Sequence, residues 1–494
     1  MSGRMIASCT MHYTDERIWE EINQGADVNT PIEAGITYLM LARSEKLVRE
    51  LLARGADPNA VDDEGRTALF VTGLIFDKEP GAYRALLEAG CDVNIVDIHG
   101  EIALNFVSGE ASEIAKILIE YGADVNHVDG DGLTPLHMAS GIEEIKLLVE
   151  GGANVNAATT GDYDDNELGE FPCGTTPLML VNDYECAKYL IEHGADINAR
   201  TRGGYSVLMY LLKEYHLGAV IAVMEAEPIL NVTADNGDTT FHTICSGFLS
   251  LLPEPSHFRK HIVRIVKKML LAGCDPNARN LDRETPLHSA GSGYAVQALI
   301  EAGANINSRD KHGNTPLHLA ASHNIKCVKA LLRAGADPNA LNHKGQNPLF
   351  FINEDNCTMP LIRAGCDVNC RDKKGRTPLH DAAAREYWHL MRILLRNGAD
   401  PNIQDNHGKT PLHIAVSVEC NCVRSEPLVR MLLKQGADPN IRDHQGKTPL
   451  HIAVEQKNKG IIRLLLKHHA DPSIKDNDGI EALSKGNPFW STKK

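Results

Sequence analysis

Aromatic residues are scarce in this sequence, 5% of 494, and no apolar run is long. The stretch from Leu217 to Met224 is among the longest, well short of the ~20 residues that cross a bilayer as a helix. Positive charge is also in deficit: 50 Lys and Arg against 65 Asp and Glu leave a net of −15. That balance disfavours wholesale nucleic-acid binding. No segment rich in Pro, Gly or Ser divides the chain into linked domains. Met1 to Ser8 has no apolar core of signal-peptide length, so the twelve cysteines read as reduced thiols and the expected location is cytoplasmic or nuclear, without membrane insertion.

What the sequence does contain is a repeat. The string Gly-Ala-Asp-x-Asn, or a close variant, begins at Gly25, Gly55, Gly90, Gly122, Gly152, Gly194, Gly273, Gly303, Gly335, Gly365, Gly398 and Gly436. Degenerate copies stand at Glu227 to Asn231 and His469 to Ser473, which makes fourteen junctions at steps of 30 to 46 residues. A second motif, Thr-Pro-Leu-His, is clean at Thr134, Thr285, Thr315, Thr377, Thr410 and Thr448, and decayed at Thr67, Ser206 and Asn347. In thirteen of the fourteen copies this position lies eight residues after the junction Asn; the exception is Asn156 to Thr176, at twenty. A constant spacer implies constant backbone geometry: a short Gly-bearing turn, then a helix start.

These motifs, from Arg17 to Leu483, resemble the ankyrin repeat family. The residue chemistry agrees. Thr caps a helix and Pro occupies its first turn, where a missing N–H costs nothing. Leu317, Ala320 and Ala321 mark a first apolar face, Val328, Leu331 and Leu332 a second, and Gly335 is placed to take a left-handed C-terminal conformation. The resemblance implies an all-α ankyrin solenoid of about thirteen full repeats with half-repeat ends.

Departures from the period predict ornaments. Five copies have 18 residues from the Thr position to the next junction, such as Thr134 to Gly152, and a trimmed turn between the helices is expected there. Inserts are expected between helices at Phe248 to Phe258 and around Glu419 to Pro427. A third insert, 157–175, falls at a hairpin tip and is strongly acidic. The expected divisions are a capping half repeat at 1–29, an acidic block at 30–240, a basic block at 241–473, and a cap and tail at 474–494. The Pro-bearing insert near Phe248 is the expected hinge.

Catalytic chemistry finds little purchase. His137, His288, His318, His380, His413 and His451 all hold the fourth motif position, where the resemblance implies that the ring ties hairpin to helix backbone. Cys91, Cys274 and Cys366 replace the junction Ala, a small buried position. Cys420-x-Cys422 beside His413 is weak evidence for a metal. Gly408-Lys409-Thr410 and Gly446-Lys447-Thr448 end like a phosphate-binding loop but lack its upstream Gly. The expectation is therefore no enzyme, no cofactor and no metal.

Charge distribution is more informative. Residues 1–240 hold 15 basic and 41 acidic side chains, whereas residues 241–494 hold 35 and 24. The expected function is a protein-interaction scaffold or adaptor whose concave face holds a protein partner; the alternative is a substrate-recognition subunit of a ubiquitin-ligase-type complex. The short ends show no recruiting module, and the basic half lacks aromatic interleaving for nucleic acid. Expected partner-binding residues are Arg309, Lys311, Lys344, Arg371, Lys373, Lys374, Arg376 and Arg442, with Asp162, Asp164, Asp165, Glu167 and Glu170 of the acidic loop. The complementary halves also allow head-to-tail self-association.

Overall fold

One repeat shows how the others form. Thr315 is extended (φ −95°, ψ 165°) and Pro316 opens the helix Pro316–Ala321, whose Leu317, Ala320 and Ala321 are buried. Asn324 then caps Ile325–Arg333 by accepting from the Lys326 and Cys327 amides, and that helix buries Cys327, Val328 and Leu331. Its end closes by a paired turn: the Ala336 N–H reaches the Leu331 carbonyl and the Gly335 N–H the Leu332 carbonyl. Gly335 sits at φ +93°, and a Cβ there would meet nothing within 4 Å, so conformation alone requires Gly. The hairpin tip is stricter. A Cβ on Gly345 (φ +77°) would stand 3.1 Å from the Lys373 amide of the next repeat.

The computed structural model describes residues 13–70, 79–106, 112–160, 172–246, 256–353, 355–417 and 425–483. The chain divides into two compact units, Met1–Asp235 and Asn236–Lys494. In the first, Asp15–Asn23 leads the stack and buries Ile18 and Ile22. Helix Glu45–Ala53 packs on Pro80–Glu88, and Tyr184–Glu192 on Leu217–Glu225. In the second, Gly293–Glu301 packs on Ile325–Arg333, and Ser425–Lys434 on Lys459–Lys467. The cores are rows of Leu, Ile, Val and Ala such as Leu51, Leu86, Leu331, Leu394 and Leu465. Each fully buried Leu contributes about 1.5–3 kcal/mol, and each row needs its neighbour to exist.

Three expectations change. The 18-residue copies lose the end of the first helix, not the turn after it. Tyr38–Leu41, Pro135–Met138 and Pro177–Leu180 have four residues each, whereas Val207–Lys213, Pro378–Ala384 and Pro449–Glu455 have seven. After each short helix the chain turns extended at once, at Ala42 (ψ 132°), Ala139 (ψ 124°) and Val181 (ψ 138°). Removing three residues removes nearly one helical turn. Second, of the insert at Phe248 to Phe258 only the last three residues are described, and they belong to the helix Ser256–Leu271. Third, Pro427 lies in the first turn of Ser425–Lys434, where Pro is tolerated. Most of the acidic loop (161–171) and the tail from 484 onward lie outside the described residues. No helix among the described residues is long and apolar enough to cross a membrane.

Candidate partner-binding surface

The repeated polar residues are consumed by holding one repeat to the next. At His380, Nδ1 accepts the Thr377 backbone N–H at 3.1 Å and Nε2 stands 3.0 Å from the Lys409 carbonyl, one repeat on. A backbone amide only donates and a carbonyl only accepts, so the ring is neutral with its proton on Nε2. His137, His242, His288, His318, His413 and His451 repeat the arrangement, reaching Thr175, Glu284, Asn314, Gln346, Lys447 and Ile480. His242 carries no Pro-Leu before it, but its Thr239 stands eight residues after Asn231, which is the signal for it.

The junction asparagines tie each repeat to the next through their side-chain amides. Asn339 donates from Nδ2 to the Gly365 carbonyl at 2.8 Å and accepts the Asp367 N–H at 2.7 Å, both in the following junction. Asn126 does the same with Gly152 and Asn154. The left-handed Gly closes the helix end on itself, and the junction backbone that follows presents its C=O and N–H to the preceding repeat's Asn. A third tie is purely backbone: the Lys373 N–H donates to the Lys344 carbonyl, and the Ile98 N–H to that of Glu64.

The expected basic residues lie on the hairpins. Among the expected basic residues, several serve the fold. Arg309 donates to the Gly313 and Leu341 carbonyls, and Arg371 to those of Gly375 and Gln404. Arg442 bonds the Gly446 carbonyl and Asn477 Oδ1. Arg376 pairs with buried Asp372 at 2.8 Å, and Lys311 with Asp282. Lys344, Lys373 and Lys374 are exposed, with no ion pair to the described residues. Asp162, Asp164, Asp165, Glu167 and Glu170 lie outside the described residues, as do Cys420 and Cys422.

Sequence reasoning passed over two exposed features. Trp388, 43% exposed, carries the Arg392 guanidinium 5.2 Å from its ring centroid. Val61, Val96, Ile98 and Val128 stand exposed on consecutive hairpins of the first unit. A valine between Asn and Asp reads as a turn-flanking residue, and only its accessibility separates it from core.

The interior offers no poised nucleophile among the described cysteines. Burial pushes the Cys186 thiol up to about 11 and those of Cys327 and Cys366 up to about 12, so each stays protonated. Among the described residues no three His, Cys, Asp or Glu side chains gather as a metal site. Both ring nitrogens of His413 are already engaged by Thr410 and Lys447.

Comparison with known families agrees with this geometry. A model described as three copies of ankyrin repeats matches residues 74–159, 258–342, 349–443 and 420–476, and a single-repeat model matches 34–63 and 173–202. No curated protein matches the sequence.

Proposed function

The chain belongs to the ankyrin repeat family, and from that membership we propose that it is a non-catalytic scaffold or adaptor holding a protein partner on the concave face of its repeats. Ankyrin repeats are in general protein–protein interaction modules. The observation that supports this reading is the division of labour along each repeat. Its His and Asn are occupied by bonds to neighbouring backbone and its Thr hydroxyl by the His ring, and the accessible variation lies on the hairpins. In the second unit those hairpins present Lys344, Lys373 and Lys374. Tip charges on successive repeats add their potentials and steer an encounter. An acidic partner segment is the complement there, and a basic one for the acidic loop.

Arg371 and Arg376 are unsuitable for testing this, because their substitution also breaks bonds to Gln404 and Asp372. Reversing Lys344, Lys373 and Lys374 to Glu avoids that. Co-purification from native cells with the full chain as bait identifies the direct partner. Its association with the triple variant is expected to slow by about tenfold at low ionic strength and to lose salt dependence. Association insensitive to both moves recognition off these charges. A bait that recovers only its own copies assigns them to head-to-tail self-association, and turnover by the purified chain overturns the non-catalytic reading.

A further inference from the structure

The residue two places after the junction Asn has two fates. In the second unit it is a stitch in four repeats, with exposed Leu341 the exception: Arg279 donates to the Arg309 carbonyl, Arg309 to Leu341, Arg371 to Gln404, and Gln404 to Arg442. Each acceptor holds the same position one repeat later. Arg200 stitches to Thr233 likewise in the first unit. In three consecutive repeats of the first unit the stitch has been replaced by valine. Val61, Val96 and Val128 are 48%, 46% and 49% exposed, and Ile98, beside Val96, is 65% exposed. A branched apolar side chain cannot donate, so these repeats forgo a bond made elsewhere and leave apolar surface in water instead.

The surroundings are one-sided in charge. The hairpins 59–67, 94–102 and 126–134 carry Asp62, Asp63, Glu64, Asp97, Glu101, Asp129 and Asp131 against a single Arg66. That guanidinium is already held by Asp62 and Glu64, both at 2.8 Å or less. Glu101 is kept above the usual carboxylate range by burial and by Asp97, Asp129 and Asp131. Negative charge is therefore in local excess, and a cationic neighbour relieves it.

We propose that Val61, Val96, Ile98 and Val128 form a docking strip for an extended partner segment carrying an apolar side chain at every third residue with Lys or Arg between. This deepens the protein-interaction reading and rests on it. The spacing follows from the stack. Packed helices stand about 8–10 Å apart, and one three-residue turn of an extended polyproline-II segment rises about 9 Å and returns every third side chain to the same face. One apolar side chain per three residues thus meets one valine per repeat, while the intervening cations face the accessible hairpin carboxylates, Asp63 and Asp131 foremost, Asp62 and Asp97 being buried against their own hairpin amides. Affinity in this arrangement comes from apolar burial, and orientation from charge.

The test uses the full chain and a fluorescein-labelled twelve-residue peptide repeating Val-Lys-Thr, read by anisotropy. The expected result is binding that falls about tenfold in the V96S/I98S variant. L341S alters an equally exposed side chain at the stitch position of the second unit and is expected to leave binding unchanged. Thermal melts of both variants should match the parent, since the altered side chains are exposed. Peptides repeating Val-Glu-Thr, or Val-Lys with a two-residue period, are expected to bind more weakly, as is a helical peptide with the same apolar residues every seventh position. Equal binding by any of these, no binding by the first peptide, or less than a twofold effect of V96S/I98S overturns the strip. So does self-association of the chain that V96S/I98S abolishes, which would give the strip to a second copy. None of these results touches the scaffold reading, which is decided by co-purification.

Discussion

A buried imidazole between an amide donor and a carbonyl acceptor has room for one proton. A second proton, on Nδ1 of His380, would face the Thr377 N–H. Burial acts in the same direction, lowering His137, His242, His288, His380 and His413 and taking His318 down to about 4. The unfolded chain takes up the proton near 6.5 and the folded chain only at lower pH. This contribution to stability is therefore complete above 6.5 and lost as pH falls from there toward 4. Asn105 shows the position unfilled: it stands where His would, 8% exposed, and both ends of its amide lack a partner among the described residues. Asn105→His is expected to restore the reach to the next hairpin and raise stability by about 1 kcal/mol at pH 7.5. Calorimetry checks this, and the gain should shrink at pH 5.5. An unchanged or lower melting temperature at pH 7.5 shows that the site cannot accept the ring.

At the scale of the element, the left-handed residue that ends each second helix decides stability without any contact. Gly335 has open space where a Cβ would stand, whereas His469 occupies the equivalent position with φ +65°. Gly335→Ala is expected to cost about 1 kcal/mol and His469→Gly to return somewhat less, because Gly also loosens the unfolded chain. Two chemical denaturation curves decide it, and equal signs for the two substitutions would contradict the conformational account. This junction was legible in the sequence because its requirement is local: Gly, then Asn four residues on, then Thr eight further. The shortened first helices were not. Nothing in the residue types at Ala42 or Ala139 says that the chain turns extended there, and a three-residue deficit fits a shorter loop as well as a shorter helix. The stitching role of Arg371 was hidden for a related reason. Its acceptor, the Gln404 carbonyl, is 33 residues away and is a backbone atom with no signature of its own. The apolar strip needed accessibility, which a sequence does not carry.

At the scale of the molecule, the histidine ties are unevenly distributed. The first unit has Met40, Phe70, Asn105, Met179 and Met209 at the fourth motif position and only His137 making the tie. The second has His242, His288, His318, His380, His413 and His451, with Phe350 the exception. Acid is therefore expected to loosen the second unit first. His318 alone accounts for about 2 kcal/mol by pH 5, given its displacement to about 4. Amide hydrogen exchange at pH 7.5 and 5.0, corrected for intrinsic rates, should show Ile325–Arg333 opening before Tyr184–Glu192. The reverse order would mean that the ring nitrogens do not govern acid stability.

The inter-repeat ties share one further property. The His rings end on the carbonyls of Thr175, Glu284, Asn314, Gln346, Lys409, Lys447 and Ile480, seven residues with little in common. The junction amides end on backbone N–H and C=O groups as well. The sockets of the ring and of the junction amide are all main chain, so this part of the coupling is indifferent to the identity of the residue that receives it. An ancestral duplication or deletion of a whole repeat leaves a working joint on both sides, and the outward side chains are free to diversify without renegotiating the fit between neighbours.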